Sequence, residues 1–283
     1  FNMFTVVEQV KVTAEIQYSR FLELYTFVSS IEFLMLMFIM PALTASSISG
    51  ERERQTLELM LTTTMKPKEI ILGKFWSALT TMLILAISAL PVQSLVFVYG
   101  GITIADMMIL FLCYGIVALF TGGIGMFYSS LLKRSTVATV CTYVTIVLLV
   151  AGTYAINVFT YRLDANEVNS YVSVLNTAAR QASSGGFIYL LLLNPALTFY
   201  SVINGQAGAG DIRKPFEQWF GALPDNYIMD HWSAVSLSVQ LILAIILIAI
   251  SIYAVTPIHG KREKAHQHEK FRGFEREKRR QPC

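Results

Sequence analysis

Five apolar stretches, at about 24–49, 75–99, 107–132, 135–159 and 233–258, are each long enough to cross the ~30 Å hydrocarbon core of a bilayer, which takes roughly 20 helical residues. Lipid offers no partner to a backbone N–H or C=O, so a chain with several such runs must cross as helices that satisfy their own backbone. The composition agrees: 54% of residues are hydrophobic and 14% charged, with a mean hydropathy of +0.53, outside the range of soluble domains. The expected fold is therefore an all-α polytopic membrane protein with five spanning helices. The runs are too long for signal-peptide cores. Glu32 is the only formal charge inside them.

Orientation follows from where the Lys and Arg residues fall. Of twenty-two, five lie in 50–74, two at Lys133-Arg134 and nine between Lys261 and Arg280. The turn at 100–106 has none, and 160–232 has four against six acidic residues. Placing the three basic regions in the cytoplasm gives an external N-terminal segment (1–23), four spans within 24–159, an external region (160–232), a last span (233–258) and a basic cytoplasmic tail (259–283). That tail either lies on anionic head groups or is a solvated flank. A sixth helix, first in order, is expected upstream of Phe1.

The same parity constrains 186–203, GFIYLLLLNPALTFYSVI, a stretch of about 18 residues with Asn194-Pro195 at its centre. Two half-helices that dip in and turn there satisfy the charge count; a kinked ordinary span is the alternative. In the external region, Val168, Tyr171, Val172, Leu175 and Ala179 recur at helical spacing. Asp164 with Glu167 resembles a capping box that would start an amphipathic interfacial helix there.

Catalysis finds no support. No GxxxxGK[ST] phosphate loop, HExxH or CxxC occurs, and the three cysteines have no ligand spacing. His266 and His268 have no third ligand nearby in sequence, so no metal site, cofactor or nucleic-acid contact is expected in this chain.

The segment SGERERQTLELMLTTTMK (49–66) stands out between the first two spans. Ser49 can cap a helix whose first turn carries Glu51 and Glu53, and Leu57, Met60, Leu61 and Met65 form one apolar stripe. One amphipathic helix ending near Thr64 is expected. It would either rest on lipid or dock in a partner's groove.

Residues 50–75, GERERQTLELMLTTTMKPKEIILGKF, resemble the signature of ABC-2 type transporter permeases, in which E-R-E/R-x-x-G-T-L-E-x-L-L precedes an I-(I/V)-x-G-K start of the next helix. The matching positions are Glu51, Arg52, Glu53, Thr56, Leu57, Glu58, Leu61, Thr62, Gly73 and Lys74; Gln55 stands where the family often has Gly, and Thr64 where it often has Pro. The resemblance implies a coupling helix at 50–65, with Glu51, Arg52, Glu53, Arg54, Thr56, Leu57, Glu58 and Leu61 meeting separate ABC ATP-binding subunits that hold ATP and Mg. It further implies a permease paired with a second copy or a related permease in a bacterial cell membrane, with 24–49 and 135–159 lining an export path. A sensor or scaffold that passes on ATP-driven motion without cargo is the alternative.

Within the membrane, Glu32, Asn157 and Asn194 are path candidates, Glu32 for a cationic substrate or a proton, with a wet or hydrogen-bonded structural role as the alternative. Pro41, Pro91 and Pro195 are expected to bend their helices. The stripe Gly115, Ala118, Gly122, Gly125 and Ser129 is assigned chiefly to close helix packing. A cysteine replacing Glu8 should react with a membrane-impermeant maleimide added outside; labelling solely from the cytoplasmic side would invert the whole topology.

Overall fold

A computed structural model describes residues 2–57, 67–99, 102–175, 181–206 and 212–255, with side chains beyond residues 2–20, 92, 94–99 and 169–175. The described chain is all helical, without a named strand. In order come α1 (Asn2–Ala45), α2 (Ser49–Glu53), α3 (Pro67–Tyr99), α4 (Ile104–Leu131) and α5 (Ser135–Val147). A π-helical turn, Leu148–Gly152, leads into α6 (Thr153–Leu175). A 3-10 segment (Gly185–Leu193) precedes α7 (Pro195–Gln206), α8 (Arg213–Phe220), α9 (Tyr227–Asp230) and α10 (Trp232–Val255). Among the described residues five helices are long and apolar enough to cross a membrane: those of α1, α3, α4, the α5–α6 run and α10.

The α4 helix lies at the centre, packed against α1 and α10 and flanked by α3 and α5. Its small-residue stripe explains the approach to α1. A Cβ added at Gly122 would sit 2.4 Å from the Met40 side chain, and one at Gly125 would meet the Thr44 side chain and, at 3.1 Å, the Ala45 amide. One turn on, Ser129 Oγ accepts from the amides of Ile48 and Ser49, at 2.8 and 3.0 Å. Gly115 differs: open space lies beside it.

Several local expectations give way to longer-range ones. Residues 2–20 are helical and continuous with the first span, in an α1 whose 44 residues reach about 66 Å, roughly twice the hydrocarbon thickness. Helix α6 runs through Asp164, because an unbroken i→i−4 ladder outweighs a local cap; Asp164 Oδ2 instead accepts from the Ser183 amide at 2.8 Å. The capping box that does form joins Thr103 and Asp106 at the start of α4. Ser49 is not an N-cap either: its hydroxyl donates to Ala45 O at 3.1 Å, inside the near-continuous turn from α1 to α2. Helices α1 and α3 run through Pro41 and Pro91, whereas at Asn194-Pro195 the chain bends by 91° between the 3-10 segment and α7.

A single helix over 50–65 is not what forms. Helix α2 ends at Glu53, and Gln55 takes φ +58°, a left-handed conformation that interrupts it before Thr56 and Leu57. Residues 58–66, including Glu58, Leu61, Thr62 and Thr64, lie outside the described residues. A left-handed residue costs a non-glycine roughly 1–2 kcal/mol. Glycine is the side chain this position favours.

Four substitutions at three positions test this packing. Gln55→Gly should leave thermal stability equal or raised, while Gln55→Val should lower it, in detergent melts of the purified chain. Gly125→Val should cost about 1–3 kcal/mol by overpacking, against little change for Gly115→Ala; equal effects at 125 and 115 would refute the close α1–α4 contact.

Candidate functional site

The connection from α1 into α2 makes an elbow whose charged residues bond within the chain. Glu51 Oε1 accepts from Lys74 Nζ at 2.9 Å, and its other oxygen accepts from the Thr56 hydroxyl. Lys74, one turn or two into α3, also donates to Ser47 O at 2.6 Å, so one ammonium holds both arms of the elbow. Thr56 also bonds Glu51 O, at 3.2 Å, folding the residues after Gln55 back onto α2. The Thr56 and Lys74 hydrogen bonds hold the Glu51 carboxyl below its usual range. Glu53 reaches the start of α5, accepting from the Ser135 amide at 3.1 Å and from its hydroxyl. These bonds lower the Glu53 pKa as well, and they satisfy an orphan donor at the α5 N-terminus.

Glu51, Thr56 and Lys74, picked out by the signature, therefore converge on one strut, while Glu53 ties the elbow to α5. Leu57 is buried in the main core instead of facing outward. Arg52 is half-buried, and Glu53 and Arg54 are exposed. Among the described residues the arrangement links the end of α1 and α2 to α3 and α5 by hydrogen bonds. Ser129, which the sequence marks only as part of a packing stripe, and Ser135 and Ser47, which it does not mark, become partners because the fold brings them to residues distant in the chain.

Glu32 is half-buried, between α1, α3 and α4. Its Oε2 accepts from Gln93 Nε2 at 2.6 Å and faces the Tyr114 hydroxyl at 3.2 Å; that hydroxyl also bonds Ser29 O at 2.9 Å. Gln93, a polar residue two positions after Pro91 in an apolar run, was a signal left unused. Tyr114 in turn neighbours Phe199 of α7, which stacks on Phe33 of α1 with centroids 4.3 Å apart.

Asn194 is buried at the bend, where all its amide atoms are engaged. Its Oδ1 accepts from the Ala196 and Leu197 amides, and its Nδ2 donates to Val150 O and Thr153 Oγ1, both at 2.9 Å. It thus caps α7 and satisfies a carbonyl of the π turn. Asn157, equally buried, donates to Thr153 O at 3.0 Å. Leu192 O, at the end of the 3-10 segment, accepts from Ser236 and Gln240 of α10. Asn157 and Asn194 sit in this seam, apart from the Glu32 cluster, which α1, α3 and α4 build.

The outer side of the bend is held by aromatic packing. Phe216 and Phe220 of α8 are buried with Trp232 and Met229. Arg213 bonds both Asp225 and Asp230, which raise its pKa further. Gln206, at the end of α7, joins α1 and α4: its Oε1 accepts from Tyr25 at 2.8 Å and its Nε2 donates to Asp106 O at 2.7 Å.

A family model described as ABC-2 family transporter protein matches residues 2–256, nearly all of the spanning region. No curated protein matches the chain. Five spanning helices, an elbow built from the signature residues and a match over most of its length give one conclusion: the chain belongs to the ABC-2 transporter family and is a multi-pass membrane permease of an ABC transporter.

Proposed function

We propose that this permease works in an ATP-driven exporter, joined to separate ATP-binding subunits through the elbow at Ser49–Leu57 and paired with a second permease of its own kind or a related one. ATP and Mg belong to the partner subunits, and a bacterial cell membrane is the setting. Export, and not scaffolding, is favoured by the modest size of the region outside the bundle. The path would run along the interface between two permeases, lined by the spans at 24–49 and 135–159.

The observation that carries this reading is the double tie of α2. A push on the exposed Glu53–Arg54 surface reaches α3 through Glu51 and Lys74, and α5 through Glu53 and Ser135. Helices with no ATP site of their own need such a lever. Their motion then depends on bonds that connect the lever to more than one span.

The ion pair invites a charge-swap test on the permease reconstituted with its ATPase in sealed vesicles. Glu51→Lys and Lys74→Glu should each lower the flux per ATP hydrolysed roughly 5- to 10-fold, the scale of a typical coupling free energy. The double exchange should recover a large part of it. Full coupling in both single variants, or no recovery in the double, would reject the elbow as the lever.

A further inference from the structure

A groove of about 250 Å³ opens beside Glu32, between Val28, Ile31 and Met35 of α1 and Met82, Leu85 and Ser88 of α3. A second cavity, of about 200 Å³, shares Leu36, Met82, Ala86 and Tyr114 with it and extends along α3 to Trp76. Gly115 leaves its side of that second cavity open. Together they make a furrow with apolar walls and a carboxylate at one end, in the size range of small-molecule sites. From Ser88 to Trp76 the furrow follows twelve residues of α3, about 18 Å.

Glu32 is incompletely satisfied by the chain itself. Both of its hydrogen bonds fall on Oε2; Oε1 is buried with no partner, and so is Oε1 of the neighbouring Gln93. No basic side chain pairs with Glu32 among the described residues. A carboxylate in the membrane without a counter-charge is costly, and buried acceptors without donors add to that cost. Several N–H donors on one positive group would relieve both.

We propose that the furrow binds a single-chain amphiphile with an ammonium head, the head at Glu32 and Gln93 and the apolar chain lying toward Trp76. Phospholipid fits less well, since its phosphate would lie near the Glu32 carboxylate. Entry is lateral, because Ile31, Met35 and Leu85 at the rim are exposed. The furrow shares the span 24–49 and Glu32 with the path proposed above and so deepens that reading. Binding is measured without the ATPase, so its failure leaves the exporter reading standing, and the reverse.

The test uses the purified full chain in phosphatidylcholine nanodiscs and follows Trp76 fluorescence during titration with 12-bromododecylamine, whose bromine would reach the Trp76 end. Saturable quenching is expected, lost in Trp76→Phe, with half-saturation at least tenfold lower than for 12-bromododecan-1-ol, the scale of a hydrogen bond to a charged group. Glu32→Gln should abolish the preference for the amine and leave the alcohol unchanged. Gly115→Leu should weaken both by filling the second cavity, which keeps the proposal testable should Glu32→Gln fail to fold. Equal half-saturation for amine and alcohol in the native chain would overturn it. So would an unchanged Gly115→Leu, or displacement of the amine by phosphatidylethanolamine at equal concentration.

Discussion

Inside a bilayer each backbone N–H and C=O must find a partner within the protein, and this chain interrupts its helices at several points. Each interruption is answered by side chains from a distant helix. At the α1–α2 turn the amides of Ile48 and Ser49 turn to Ser129 of α4. At the π turn the carbonyl of Val150 is met by Asn194, which also caps α7 through two amides. The Leu192 carbonyl, near the end of the 3-10 segment, is met by both Ser236 and Gln240 of α10. The bundle is thus fastened at its breaks, and its apolar faces fill in around those polar points.

The aromatic contact at Phe199 joins two of these regions. Its ring packs on Phe33 and beside Tyr114, and the Tyr114 hydroxyl bonds the Glu32 cluster. Close packing transmits displacement because interiors have few voids to absorb it. A shift of α7 would therefore be felt at Tyr114 before it reached the lipid-facing sides of α1 and α3. Gln206, holding both Tyr25 and Asp106, limits how far α7 can move as a rigid piece.

Much of this architecture was legible in the residues. Run length alone marked the five spanning helices, since few soluble elements are so apolar for so long. Asn194-Pro195 announced a break, although proline alone does not decide one, since α1 and α3 run through Pro41 and Pro91; the glycine stripe of α4 announced a close neighbour. What escaped were choices settled by distant partners. Asp164 with Glu167 has the local form of a helix start, yet the ladder of α6 continues and Ser183 claims the carboxylate. The charged run after Ser49 follows one helical period, and nothing local reveals that Lys74 and Thr56 will draw it into a tighter turn at Gln55. The roles of Glu51 and Glu53 depend on Lys74 and Ser135, which lie 23 and 82 residues away.

The elbow is secured by bonds of unequal strength, and the difference decides how it can move. Ser129 holds two backbone amides at a buried position, where losing it would strand two donors at about 1–3 kcal/mol each. The Glu51–Lys74 pair is about a quarter exposed on each side, and pairs in such surroundings contribute about 0–1 kcal/mol after screening and side-chain entropy. Glu53 is exposed where it meets Ser135. The end of α1 is therefore seated on α4 more firmly than α2 is tied to α3 and α5. In the proposed lever Ser129 is the pivot, and a displacement of α2 passes to α3 and α5 for as long as the two carboxylate ties stay closed, so the weaker ties set the largest load the elbow can pass on.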